Sequence, residues 1–315
     1  MVPLVVPELA KKGIDLIVRR DDLVDPLLSG NKFYKLYWNL EEARARDLPS
    51  VASLGGPWSN HLHALAAAGY QQGIRTIGVI RGERPAELSA TLRDAEALGM
   101  ALCFISRADY RQLTRQADTR PLQQWLEARY GRLLLIPEGG GNVAGARGAE
   151  AMAWAIEQQL GGDYQEVCVA CGTGTTLAGV AAALPDGKRA CGFSVLKGAG
   201  KLAADISRLY RCLQPRPRPM AWRLVSGFHG GGYAARLPAG LVDFQQRFEQ
   251  EQGFLLDPVY TLKLFFAVLQ LAQDGYWRRG TRLVVVHSGG LQGRRGFGQP
   301  FTELSGLLNK KPITV

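Results

Sequence analysis

Short apolar runs, each followed by a helical pattern, recur along almost the whole chain, and this alternation restricts the fold more than any other feature. A strand that returns to the same side of a sheet after a helix lies parallel to its predecessor, with helices covering both faces. The expected strands are Ile14 to Val18, Val51 to Leu54, Ile74 to Ile80, Ala101 to Ile105, Leu133 to Ile136, Glu166 to Ala170, Ala190 to Val195 and Arg282 to Val286. Helical patterns open at the Lys32 segment and run over Ser59 to Gln72, Ala86 to Leu98, Pro121 to Tyr130, Ala144 to Leu160, Thr175 to Leu184, Gly240 to Gln252 and Pro258 to Gln273. The β-branched run Arg282 to Val286 reads as a strand buried on both faces. The pattern is that of an α/β protein with open, twisted, mostly parallel sheets and helices on both faces.

Ligands of such sheets sit beyond the carboxyl ends of the strands, so the loops after Leu54, Ala170 and Val286 are the places to search for chemistry. The length of 315 residues, 46% hydrophobic and 21% charged, is enough for two domains and excludes the compositional classes of disorder. No repeat or low-complexity segment interrupts the alternation.

The net charge of +10 raises the question of nucleic acid. The arginines are scattered, however, and the densest basic stretch, Arg211 to Arg218, is interleaved with Pro215 and Pro217 as in an extended surface loop. The charge therefore reads as attraction for anionic small molecules or as a solubility feature, and nucleic acid is not an expected partner. Cys103, Cys168, Cys171, Cys191 and Cys212 are odd in number and mostly within apolar runs, as in reduced cytoplasmic proteins. Cys168 and Cys171 on one strand would point to opposite faces, and no second pair completes a zinc site, so no metal is expected. Met1 to Ala10 has no basic region followed by a long apolar run, and no membrane span is expected.

Four segments concentrate chemistry. Ser29-Gly30-Asn31-Lys32-Phe33-Tyr34-Lys35 places two lysines three apart at a helix start. A lone lysine there is ordinarily solvated, and its interest comes from the other three. Gly55-Gly56-Pro57-Trp58-Ser59-Asn60-His61 ends a strand, and Ser59 or Asn60 suits a helix N-cap. The same geometry offers a carboxylate free N–H groups and a hydroxyl. His61 and His63, two apart, face different ways, which argues against a metal pair. Cys171-Gly172-Thr173-Gly174-Thr175-Thr176 is a hydroxyl-rich phosphate cradle. It lacks the Gly-Lys-Ser/Thr of a triphosphate loop, and Leu177 stands where a dinucleotide fingerprint has its third glycine. His287-Ser288-Gly289-Gly290 closes the set.

Gly30-Asn31-Lys32-x-x-Lys35-Leu36, Ser59-Asn60-His61, Gly172-Thr173-Gly174-Thr175-Thr176, Asp257-Pro258-Val259-Tyr260-Thr261 and Ser288-Gly289-Gly290, in this order, resemble the fold-type II pyridoxal-phosphate enzymes, relatives of the tryptophan synthase β subunit. Within them the chain is similar to the branch of 1-aminocyclopropane-1-carboxylate (ACC) deaminase and D-cysteine desulfhydrase. The resemblance implies pyridoxal 5'-phosphate bound covalently by Lys32, with Asn60 at its phenolic oxygen. It also implies Gly172 to Thr176 and Lys35 at its phosphate, Thr261 among the cofactor contacts, and Ser288 at the pyridine nitrogen. Ser59 and Tyr260 would join Lys32 in catalysis. Trp58, Ser59, Asn60, His61, Tyr233 and Tyr260 would surround a small amino-acid substrate. It further implies a homodimer and two domains, a large cofactor-binding one from residues 1–34 and 139–315 and a small inserted one from 35–138.

The implied reaction is α,β-elimination to pyruvate and ammonia, with a buried lysine kept neutral enough to act as base. ACC deaminase has a glutamate directly after the motif tyrosine, whereas this chain has Thr261, which favours a D-cysteine desulfhydrase-like lyase. Pro57-Trp58 departs from the smaller or amide-bearing pair of these relatives and reshapes the expected pocket. ACC deamination, serine or threonine dehydration, racemisation, and cofactor binding with little catalysis are the competing readings.

Overall fold

The computed structural model describes residues 1–115, 119–196, 200–214, 219–233 and 236–309. In chain order, β1 (Val2–Leu4), α1 (Pro7–Lys11) and β2 (Asp15–Arg20) lead through a 3-10 turn into α2 (Asn31–Ala45). Next come β3 (Ser50–Gly55), α3 (Asn60–Gln72), β4 (Arg75–Arg81), α4 (Ala90–Ala97), β5 (Ala101–Ile105), α5 (Arg107–Arg115), α6 (Arg120–Tyr130) and β6 (Leu134–Ile136). The remainder is α7 (Val143–Leu160), β7 (Glu166–Cys171), α8 (Thr175–Ala183), β8 (Arg189–Ser194), α9 (Gly200–Leu213), β9 (Trp222–Val225), α10 (Ala239–Gln252), α11 (Thr261–Gln273), β10 (Arg282–His287) and α12 (Leu304–Leu308).

The strands form two sheets. One has the order β1-β2-β10-β7-β8-β9 and is parallel except for β1, which runs antiparallel to β2. The other, β5-β4-β3-β6, is wholly parallel and interrupts the first between β2 and β7. Each strand of the sheet centres is apolar on both sides because each sheet has a core on both faces. Leu16, Cys168 and Val285 pack with Phe248, Leu262 and Phe265 of α10 and α11, while Val167, Val169 and Val284 pack with Met152 of α7 and Leu177 of α8. The smaller sheet is likewise sandwiched, with Leu36, Leu40 and Leu65 on one face and Tyr110, Leu122 and Leu126 on the other.

α2 belongs to both halves. Its Leu36 and Leu40 enter the core of the smaller sheet, yet its backbone rests on α7, where a Cβ added at Gly148 would lie 1.8 Å from the Tyr34 carbonyl oxygen. Only a glycine permits that approach, and it sets the depth at which the start of α2 is held.

The structure corrects several expected bounds. α4 begins at Ala90, because Ser89 accepts the Leu92 N–H at 3.2 Å and caps it there. α11 begins at Thr261, since Asp257 Oδ1 takes the N–H groups of Val259 and Tyr260 and holds the turn before it open. Arg211 to Leu213 form the last turn of α9 rather than an extended loop, and residues 215–218 lie outside the described residues. β1, α1, α5, α9, β9 and α12 were not anticipated. All five cysteines are free, and Cys168 and Cys171 do enter opposite cores. Glu166, Cys168 and Cys191 come within 4.8 Å of one another, but the carboxylate is already held by the Trp277 indole at 2.7 Å and by Arg223. Burial raises the Cys168 pKa well above that of an ordinary thiol, which disfavours the thiolate a metal requires.

Candidate active site

In the larger sheet, β2, β10 and β7 are adjacent and parallel, so the segments after their carboxyl ends meet at one edge: the start of α2, residues 288–290, and residues 172–176. The loop after β3 faces them from the smaller sheet. Between them lies a cavity of about 1470 Å³ lined by Lys32, Lys35, Trp58 to His61, Gly172 to Thr176, Tyr233 and Tyr260. A second cavity of about 20 Å³, enough for roughly one water, adjoins it behind Lys32 and Asn60 and is lined by Ser288.

Lys32 Nζ donates to Asn31 Oδ1 at 2.9 Å, and Asn31 Nδ2 donates to Thr176 Oγ1 at 2.8 Å. The amine thus stands two hydrogen bonds from the hydroxyl-rich loop. Gly30, with φ of 72°, makes this possible, since a Cβ there would fall 1.9 Å from the Ser288 carbonyl oxygen. Desolvation lowers the Lys32 pKa to about 8, against the opposing pull of the Asp257 carboxylate. Lys35 is 2% exposed, and burial together with the Lys32 charge lowers its pKa well below the usual ammonium range. Its Nζ lies 3.4 Å from Thr173 Oγ1, and the Thr173 and Thr175 hydroxyls are 2.8 Å apart.

On the facing loop, Ser59 caps α3 by accepting the Leu62 N–H at 3.2 Å. Asn60 Oδ1 accepts from Gln292 Nε2 at 2.6 Å, which fixes the amide and leaves Nδ2 as its donor. His61 Nε2 lies 3.0 Å from Ser53 Oγ, whose proton goes to the Ile136 carbonyl. His61 Nε2 therefore donates, and Nδ1, buried without a partner among the described residues, is a bare acceptor. Burial and the two lysines lower the His61 pKa well below the ordinary imidazole value, so the ring is neutral. His63 turns instead to Asp94 at 3.2 Å. Trp58 lies against Gly296 at the cavity edge.

Tyr260 presents its ring 6.0 Å from Lys32 Nζ, and its hydroxyl is hydrogen-bonded to that of Tyr233. Burial and the neighbouring phenol hold the Tyr260 pKa well above the ordinary range, so it is a proton donor. Thr261 has a different place from the one expected for a cofactor contact. Its Oγ1 accepts the Asp257 N–H at 2.7 Å, is fully buried, and does not line either cavity. Ser288 lines the smaller cavity rather than the wall of the larger one, and its carbonyl receives the Asn31 N–H at 3.2 Å.

Four further residues shape the site beyond the expected set. Asp257 is fully buried, and while Oδ1 serves the turn, Oδ2 has no hydrogen-bond partner among the described residues. Gln292 orients Asn60. Arg294 and Arg295 pin the segment that carries Gln292, the first to Glu249 of α10 and the second to Asp94 of α4. Asp257 was readable as part of the motif quoted above, but no periodicity or spacing marks Gln292 to Arg295.

The residues present fit a phosphorylated aldehyde. Thr173, Thr175 and Thr176 with the loop N–H groups suit a phosphate, a lysine with a lowered pKa suits a carbonyl carbon, and an amide donor and a buried carboxylate suit a polar ring. A family model described as pyridoxal-phosphate dependent enzyme matches residues 3–289. The chain is 28% identical over 309 residues to the bifunctional D-cysteine desulfhydrase/1-aminocyclopropane-1-carboxylate deaminase, mitochondrial, of Arabidopsis thaliana, across 89% of this chain and 73% of that protein. It is 25% identical over 299 residues to a D-cysteine desulfhydrase of Yersinia pestis (strain Pestoides F), across 88% of this chain and 87% of the other. The crystal structure of an ACC deaminase homologue superposes with a TM-score of 0.81 at 25% identity, covering 98% of this chain and 92% of that one.

Proposed function

Because this chain belongs to the family of pyridoxal-phosphate dependent enzymes, we propose that it is the lyase or deaminase of the site just described, acting on D-cysteine or a related β-substituted amino acid to release pyruvate and ammonia. The observation that supports the assignment is the hydrogen-bonded path from Lys32 Nζ through Asn31 to Thr176, with the lysine amine and the hydroxyl-rich loop lining one cavity. When bound, the cofactor supplies an aldehyde that captures amines and a conjugated ring that accepts electrons from Cα.

The protein's own residues do the rest. Lys32, with its lowered pKa, holds the cofactor and then takes the Cα proton. Thr173, Thr175, Thr176 and Lys35 would hold the phosphate, and Asn60, with Nδ2 free to donate, would hold the ring's phenolic oxygen. Ser59, at the positive end of α3, binds the substrate carboxylate. Tyr260, protonated and backed by Tyr233, delivers a proton to the departing sulfur. Ser288, which lines the small cavity adjoining the large one, would face the pyridine nitrogen. Thr261 in place of a glutamate supports a thiolate-expelling reaction over the opening of a cyclopropane.

The division into domains 1–34 with 139–315 and 35–138 is part of the same proposal, supported by the two sheets. A homodimer is supported by an apolar stripe on α2 and α7, where Arg147 lies 4.5 Å over the Trp38 ring and Tyr37 and Trp154 are more than half exposed. A cytoplasmic setting is supported by the free, mostly buried cysteines. Among the described residues no helix is long and apolar enough to cross a membrane.

The test is a product screen of the holoenzyme over both enantiomers of cysteine, β-chloroalanine and serine, with ACC included. Pyruvate from D-cysteine above all others is the expected result. 2-Oxobutyrate from ACC as the main product would assign the deaminase instead. Bound cofactor with no product from any of them would leave a binding protein.

A further inference from the structure

The cavity extends beyond the groups assigned so far. Besides the hydroxyl-rich loop and the Ser59 loop, its lining includes Arg81, Arg107 and Arg111. One wall is built where β4 ends at Arg81 and β5 passes into α5 at Arg107. These strands are neighbours, with Arg81 in register with Ile105, so Arg81, Arg107 and, one turn further on, Arg111 leave adjacent strand ends, and all three line the cavity.

All three arginines are exposed at the cavity wall, and among the described residues none of them has a carboxylate within ion-pair distance. Arg81 instead lies 5.6 Å over the Tyr110 ring, and a Cβ at Gly56 would be 3.5 Å from its Nη2, so it leans over the loop that carries Ser59. Arg111 Nε donates to the Arg107 carbonyl at 3.2 Å, which ties the two together and leaves their terminal nitrogens. Two carboxylates also line the cavity, Glu138 on the side of Tyr110 and Tyr233 and Asp257 on the side of Lys32, and they do not balance Arg81, Arg107, Arg111 and Arg236 together with Lys32 and Lys35. Guanidinium groups stay charged at every accessible pH and match carboxylates in paired hydrogen bonds.

We propose that Arg81, Arg107 and Arg111 form a subsite for a carboxylate at the far end of the substrate's β-substituent, so that the preferred substrates are S-linked cysteine derivatives with an acidic tail. The inference rests on the lyase reading above. In the reaction the Cα proton is removed and the Cβ–S bond breaks with its electron pair remaining on sulfur. The acidic thiol leaves with a proton, and one water converts the remaining three-carbon enamine to pyruvate and ammonium.

Two measurements on the holoenzyme test it. Calorimetry compares 3,3'-thiodipropionate, which has no amine and cannot react, with its monoamide of the same shape. Pyruvate release compares S-(2-carboxyethyl)cysteine with S-(2-carbamoylethyl)cysteine in both enantiomers. The acid should be favoured by about tenfold or more in Kd and in kcat/KM, and the ratio should fall toward one in Arg81→Gln/Arg107→Gln and partway in Arg107→Gln alone. Equal binding of diacid and monoamide, or a preference that survives the double substitution, refutes the subsite. If no substrate is turned over but the diacid preference and its loss stand, the subsite holds and the lyase reading fails.

Discussion

The Asp257 carboxylate is fully buried, half satisfied and within electrostatic reach of Lys32 and Lys263, and burial above all pushes its pKa up to about 6. A folded-state pKa raised from 3.8 to about 6 means that the apo protein has its full stability below about pH 4 and loses part of it as pH rises through about 6. An asparagine in its place cannot ionise and still offers an amide oxygen to the turn. Asp257→Asn is therefore expected to stabilise the apo protein at pH 8 by on the order of 1–3 kcal/mol, with the gap closing at pH 4; thermal melts at both values check it. A gap of the same size at pH 4 would show that ionisation is not its cause. At this scale the sequence was informative wherever a residue sits in a strand-ending loop: Lys32, Ser59, Asn60 and the threonines all reach the cavity. It was silent where a side chain acts on another across the fold, as Gln292 does on Asn60, because nothing local in 291–297 encodes its partner. Thr261 was adjacent to the right residue, but the helix start turns its hydroxyl onto the Asp257 backbone.

Among the elements, α2 positions most of the chemistry, and its seat is Gly148 on α7. Gly148→Ala would force a Cβ into the Tyr34 carbonyl and push the two helices apart, at a cost of roughly 1–3 kcal/mol. Urea unfolding should register that loss, and cofactor retention after dialysis should fall with it because Lys32 moves with α2. Unchanged stability would mean the contact is not close in solution. The long β–α alternation was legible because buried parallel strands are apolar on both sides and helices are periodic. The elements that escaped it are short, like β1 and α12, or polar along most of their length, like α5. α9 is the exception, since Leu202, Ile206, Leu209 and Tyr210 form a visible stripe. The bounds of α4 and α11 were set by the caps at Ser89 and Asp257 rather than by the periodicity that continues through them.

For the whole molecule, the fold brings three adjacent strand ends of one sheet against the ends of β3, β4 and β5 of the other, and the site exists only in that meeting. The segment from Gln292 to Arg295 crosses between the halves through the Arg294–Glu249 and Arg295–Asp94 ion pairs. The apolar stripe on α2 and α7 lies outside the site, and as a dimer face it makes a separate prediction. Trp154→Glu should move the protein from dimer to monomer in sedimentation equilibrium while far-ultraviolet dichroism is retained; an unchanged dimer would place the interface elsewhere. The central claim is the covalent role of Lys32. Borohydride reduction of the holoenzyme followed by peptide mass mapping should find the pyridoxyl group on Lys32, with none in Lys32→Ala, whereas a label on Lys35 or another lysine would contradict the account.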